Sequence, residues 1–162
     1  MEEKNMSQTL VAYFSASGVT EWVAKTLAEA IGADLHEIKP ETPYSNADLN
    51  WNDPTSRSSV EMKDKTFRPG IANQVEDMEA YDKIFVGFPI WWYVAPTIIN
   101  TFLEQYDLSG KKVIPFATSG SSGMGNTNRE LEDSCKGADL CEGKRFASNA
   151  SAAELKKWAD KF

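Results

Sequence analysis

Alternating strand and helix signals predict an α/β fold for this chain of 162 residues: a three-layer, doubly wound, five-stranded parallel sheet in the order 2-1-3-4-5. Three observations carry that expectation. Leu10–Phe14 and Ile84–Phe88 are short continuous apolar runs, as strands buried on both faces of a parallel sheet require. Val19, Val23, Leu27 and Ile31 then recur at helical spacing between strands. The stretch 34–38 alternates polar and apolar residues, the pattern of an edge strand with one wet face. An edge-like second strand places the first strand inside it and favours the order given.

The first strand is expected at 10–15 and the first helix at 19–31, closed by Gly32. The third strand covers 84–88. A helix over 96–106 follows, with Pro96 near its first turn and a stripe of Ala95, Ile98, Ile99, Phe102, Leu103 and Tyr106. A fourth strand spans 112–117, where Pro115 removes one ladder donor and predicts a bulge or an early end. A weaker helix is expected at about 126–135, a last strand within 139–147, and a final helix that Ser151 and Glu154 open with capping-box spacing. Leu155, Trp158, Ala159 and Phe162 share one face of that helix. The connection from Pro40 to Asp82 is long, and a helix between about Ala47 and Asp64, interrupted near Pro54, is expected inside it. All of 1–162 reads as a single domain.

Hydrophobic residues make up 41% and charged residues 25%, the balance of a globular domain. A net charge of −7 argues against nucleic acid as partner and against adhesion to anionic membranes, and suits docking on basic surfaces. Met1–Gln8 is polar without an apolar core, so no secretory signal is visible, and no apolar run nears the roughly 20 residues of a membrane span. Cys135 and Cys141 match no metal motif and read as reduced thiols, which places the protein in the cytoplasm. The single histidine, His36, reads as a surface or packing residue, and neither a catalytic constellation nor a metal site is assigned.

Function is concentrated in three loops that the fold brings to one sheet edge. The first, Ser15-Ala16-Ser17-Gly18-Val19-Thr20, puts three hydroxyls and a glycine at the positive end of a helix, a site for an anion held by neutral hydrogen bonds. Taken alone, the same residues read as a helix cap by Ser17. The second, Pro89-Ile90-Trp91-Trp92-Tyr93, holds three consecutive large aromatics that cannot all face one core, and an exposed one suits a flat conjugated ring. The third, Thr118-Ser119-Gly120-Ser121-Ser122-Gly123-Met124-Gly125, has three glycines in six residues, letting backbone N–H groups approach a ligand. Their convergence favours a ligand site over three unrelated loops.

Ser15, Ser17, Gly18 and Thr20, with Ala16 and Val19 at the variable positions, match the form [ST]-x-[ST]-G-x-T and resemble the phosphate-binding loop of flavodoxins. Flavodoxins are themselves the standard example of the 2-1-3-4-5 order with a ligand at the switch point between strands 1 and 3. The resemblance runs from Gln8 to Phe162 and is strongest to short bacterial flavodoxin-like proteins. It implies flavin mononucleotide (FMN) as cofactor, its phosphate in the first loop. The same resemblance assigns the isoalloxazine to Pro89, Ile90, Trp91, Trp92 and Tyr93 and to Thr118, Ser119, Gly120, Ser121 and Gly123. Electron-carrier flavodoxins have a more acidic third loop with a stacking tyrosine, which this chain lacks. Other users of the fold do not match: Ser15 and Ala16 stand where a receiver domain carries acidic residues, the first loop lacks a phosphatase's cysteine and arginine, and no Walker loop is present.

Two functions remain open. One is a low-potential redox shuttle between a reductase and acceptor proteins that dock on the acidic surface. The other is an FMN-dependent NAD(P)H reductase acting on quinones or similar acceptors; a flavin-binding module without turnover is a third. Carboxylates roughly 10 Å from the ring each disfavour an added negative charge by about 0.4 kcal/mol in water-like surroundings, which predicts a low potential. No Arg or Lys cluster for a 2′-phosphate is evident near the loops, which favours the shuttle; Arg57 and Arg68 are the exceptions, in a segment expected beside the flavin's open side.

Overall fold

The computed structural model describes residues 8–16, 18–92, 94–119 and 123–162. Strands and α-helices of the described residues follow in the order β1 (Thr9–Tyr13), α1 (Val19–Ile31), β2 (Asp34–Glu37), α2 (Arg57–Lys63), β3 (Lys83–Pro89), α3 (Thr97–Glu104), β4 (Lys112–Thr118), α4 (Thr127–Leu131), β5 (Asp139–Leu140), β6 (Lys144–Phe146) and α5 (Ala152–Ala159). Among the described residues the pairings between these strands are parallel and the sheet runs β2-β1-β3-β4-β5, the predicted order, with β6 also on β4. Among the described residues, no helix is long and apolar enough to cross a membrane.

The strand period of two divides the core into two layers. Leu10, Ala12, Ile84, Val86, Val113 and Ala117 face the side where Ile98, Ile99, Phe102 and Leu103 of α3 pack. Val11, Tyr13, Phe85, Ile114 and Phe116 face the other side, against Val23 and Leu27 of α1 and Leu155 and Trp158 of α5. Trp158 meets Phe146, Phe85 and Phe162 edge-on at 5.1, 5.4 and 5.5 Å, so the last helix closes an aromatic layer. Ser151 caps that helix by accepting the Glu154 N–H at 3.1 Å, as its spacing predicts.

Pro115 does not end its strand. It lies in the middle of β4, opposite Val86, and the interruption falls on its other neighbour: the last strand is two short pieces, β5 and β6. The hydrogen bonds give the reason. Lys112 N–H donates inward to Asp82, whereas Cys141 N–H donates to the Val113 carbonyl, so odd residues of β4 face the outer strand. The N–H that Pro115 lacks would have pointed there, between the end of β5 and the start of β6. Gly143 fills the gap by coming close to Pro115.

Three further expectations are adjusted. In β2 the alternation has the opposite phase: Leu35 is exposed, while His36 is half-buried with its ring stacked at 6.0 Å on Phe102. Burial, and secondarily Lys39, hold its imidazole below the usual histidine range, so it is the packing residue expected. The long connection holds only the helix Arg57–Lys63, capped by Ser56 two residues beyond Pro54, with turns before it and a short 3-10 turn at Met78–Ala80. Helix α3 is shorter than 96–106, with Pro96 as its cap residue. Both cysteines are free.

The connection is anchored to α3. Arg68 donates through Nε and a terminal nitrogen to both oxygens of Glu104 at 2.9 and 3.0 Å. Ser134 adds a bond to Glu104 at 2.8 Å, and Asn100 donates to Ser134 at 2.9 Å. The Arg68 hydrogen bonds, then Ser134, hold the Glu104 carboxyl below the usual carboxylate range.

Two outcomes are expected. A methyl group added at Gly143 would lie 2.6 Å from the Pro115 carbonyl oxygen and 3.0 Å from its ring. Gly143→Ala should therefore lower unfolding stability by about 1–3 kcal/mol, read from the urea midpoint. Because the Glu104 pKa is lowered on folding, its contribution is present above the unfolded value of about 4.3 and is lost as pH falls through the folded one. The stability gap between wild type and Glu104→Gln should narrow from about pH 6 to about pH 3, and a gap independent of pH would contradict this assignment.

Candidate functional site

The pairings Tyr13 with Gly87 and Pro89 with Thr118 bring the carboxyl ends of β1, β3 and β4 level, so the loops that follow them open on one edge. In the first loop, Gly18 takes the cap position of α1 with φ 97°, a left-handed conformation that glycine adopts without strain. The cap acceptor is Ser15: its Oγ accepts the N–H of Gly18 at 3.0 Å and of Glu21 at 3.1 Å. These amides converge on one oxygen, at the distances a phosphate oxygen takes at a helix N-terminus. Ala16 is half-buried against the α3-side core and Val19 is exposed. Ser17, including its reading as a cap, lies outside the described residues.

Thr20 turns inward. Its hydroxyl is buried and lies 2.6 Å from that of Thr118, also buried, at the end of β4. The Thr118 carbonyl in turn accepts the Ile90 N–H at 3.2 Å. Thr118 thus touches the first loop through its side chain, the second through its backbone, and begins the third.

In the second loop, Trp91 and Val94 exchange two backbone hydrogen bonds at 2.9 and 3.1 Å. The aromatics are not equivalent. Trp91 is half-buried and meets Phe14 and Tyr44 edge-on at 5.8 and 5.5 Å. Trp92 is 43% exposed and has φ 50°, a strain of about 1–3 kcal/mol for such a residue. It lines a cleft of about 570 Å³, within the range of small-molecule sites, together with Val94, Asn126 of the third-loop side and Trp51, Pro54, Met62 and Lys63 of the long connection. Tyr93 lies outside the described residues.

The long connection lines the same cleft as Trp92, but its arginines are engaged. Arg57 donates to Glu61 at 2.9 Å and to the Thr42 carbonyl at 2.7 Å, and stacks 3.8 Å over the Tyr44 ring. Tyr44 donates to the same Glu61 carboxylate; burial, then Glu61, pushes its phenol well above the usual range. Arg68 is held by Glu104. Neither is placed as a free 2′-phosphate ligand.

In the third loop, Ser119 is held by Arg145 of β6, whose Nε donates to its Oγ at 3.2 Å and whose terminal nitrogen donates to its carbonyl at 2.8 Å. Gly123 is exposed, and Gly120 and Ser121 lie outside the described residues. Sequence reasoning missed Trp51 and Arg145. Trp51 had a signal, an aromatic among the turn formers Asn50, Asn52, Asp53 and Pro54, and it is 70% exposed. Arg145 had none, because its place depends on how the last strand restarts.

The residues fit a phosphorylated planar cofactor: amides turned to one acceptor at a helix start, and, on the second loop, an exposed indole lining a cleft with that of Trp51. Comparison with known proteins agrees. The family model described as Flavodoxin matches residues 8–162. A protein from Bacteroides eggerthii assigned as a flavoprotein has a crystal structure that is 46% identical, with TM-score 0.90, 96% of this chain and 98% of that one covered. A second such protein, from Bacteroides uniformis, is 47% identical with TM-score 0.89, covering 95% and 98%. A flavoprotein from Lactobacillus acidophilus crystallised with FMN shares the fold at 24% identity, TM-score 0.71, covering 95% and 99%. The curated proteins give no match. With the family model spanning every loop of the site and the sheet order agreeing, the chain belongs to the flavodoxin family.

Proposed function

We propose that the chain binds FMN across the three loops and carries electrons at low potential between a reductase and acceptor proteins. The observation that carries this reading is the junction at Thr118, which ties the helix start of the first loop, the aromatic second loop and the third loop into one unit. FMN, when bound, supplies the redox chemistry; the protein binds it, orients it and sets its electrostatics. The phosphate lies at the α1 N-terminus, where Ser15, Ala16, Ser17, Gly18, Val19 and Thr20 surround it. The Thr20 hydroxyl, paired with that of Thr118, holds the first turn of α1 where the phosphate binds. Pro89–Tyr93 and Thr118–Gly123 hold the ring, with Trp92 as the indole that excludes water from its face. Support for FMN comes from the Lactobacillus flavoprotein of the same fold, crystallised with it.

The carrier reading is favoured over a NAD(P)H reductase by the engagement of Arg57 and Arg68 in structural bonds. A net charge of −7 suits docking on basic partner surfaces and disfavours added negative charge on the ring.

Thr20→Ala leaves the buried Thr118 hydroxyl unpaired. It should weaken FMN binding by about 1–3 kcal/mol, roughly 5- to 150-fold, with Thr20→Ser close to wild type in a flavin-fluorescence titration. Unchanged affinity in Thr20→Ala would remove the first loop from the site. Mixed anaerobically with NADPH or NADH, the FMN-loaded protein should keep its flavin absorbance until a separate reductase is added. Rapid bleaching without one would establish the reductase instead.

A further inference from the structure

We infer that Arg145 is the fixed positive charge of the flavin site and favours the reduced over the oxidised ring. The inference rests on the FMN reading above. Arg145 stands level with Ala117 of β4, one residue short of the strand's last pair, Thr118 with Phe146. From there its guanidinium reaches the start of the third loop and binds one residue twice, through the side-chain and backbone oxygens of Ser119. A planar group held at two points keeps its charge in place, which a single flexible ammonium does not. The placement follows from Pro115. Because the outer strand breaks opposite that proline and restarts at Lys144 in register with Phe116, residue 145 is brought beside the loop.

Its sign is opposite to the chain's net charge of −7. Two-electron reduction of the ring with uptake of one proton adds one negative charge. Coulomb energy rises as distance and effective dielectric fall, so a half-buried cation at the loop that holds the ring counts for more than any one exposed carboxylate on the surface. Of its neighbours along the strand, Glu142 and Lys144 are exposed and opposite in charge. The acidic surface lowers the potential, and Arg145 limits how far it falls.

The test compares wild type with Arg145→Gln, Arg145→Met and Arg145→Lys, each loaded with FMN. Two-electron midpoint potentials are read by dithionite titration against reference dyes. Dissociation constants of oxidised FMN and melting temperatures of the FMN-free chains are measured alongside. In the neutral variants the reduced form should lose about tenfold more affinity than the oxidised form, lowering the potential by about 30 mV. Arg145→Lys should recover part of that shift, which a purely structural role would not produce. Unchanged or raised potentials in the neutral variants overturn the inference, as does a lysine variant that behaves like glutamine. Two neutral variants are used so that misfolding of one, visible in its melting temperature, does not decide the result. Wild-type protein that fails to bind FMN defeats the functional reading itself, an outcome separate from a potential that does not move.

Discussion

A 2.6 Å hydrogen bond between the buried hydroxyls of Thr20 and Thr118 is the contact on which the arrangement of this edge depends. A buried hydroxyl without a partner is costly, and each of these meets the other inside the sheet–helix interface. That pairing fixes the first turn of α1 against the last residue of β4. The Thr118 carbonyl then fixes Ile90, so the second loop is referred to the same point. Three loops far apart in sequence thereby share one residue, and the geometry of an anion site at α1 cannot change without moving the loop that begins at Ser119.

The cleft has a second support. Glu61 is almost wholly buried, and a buried carboxylate needs both charge and hydrogen-bond partners. Arg57 and Tyr44 supply them, and Arg57 also lies over the Tyr44 ring. Tyr44 completes a triangle of edge-on contacts with Phe14 and Trp91. The end of β1, the second loop and α2 are therefore packed through one aromatic cluster. What reads in sequence as an overlong connection is a wall of the site, held by one arginine on this cluster and by another on α3.

The parts of the molecule legible in sequence are those set by local periodicity and capping. The apolar runs of β1 and β3, the stripes of α1 and α3 and the Ser151 cap are each dictated within about ten residues of chain, and they appear where expected. The order of the sheet follows from them. What was not legible depends on long-range partners. Whether Pro115 ends its own strand or breaks its neighbour turns on which side its missing N–H faces, and only the register decides that. Leu35 is exposed and His36 packed because the edge position and Phe102 override side-chain hydropathy. Of the three loops, their existence and location were legible. The division of labour between Trp91 and Trp92 was not, because it rests on the bridge between Trp91 and Val94 and on a tyrosine 47 positions upstream of Trp91.

Charge shows the same limit most plainly. A net count of −7 describes the field at a distance, where carboxylates and lysines merge and salt screens them. Close to the third loop the count is incomplete, because the Arg145 guanidinium is bonded to Ser119 there. Its position is a consequence of backbone chemistry: a proline without an N–H, a break in the strand beside it, and a restart that turns residue 145 toward the loop. The cation at this edge was thus determined by hydrogen-bond geometry two residues from the loop, and composition carries no trace of it.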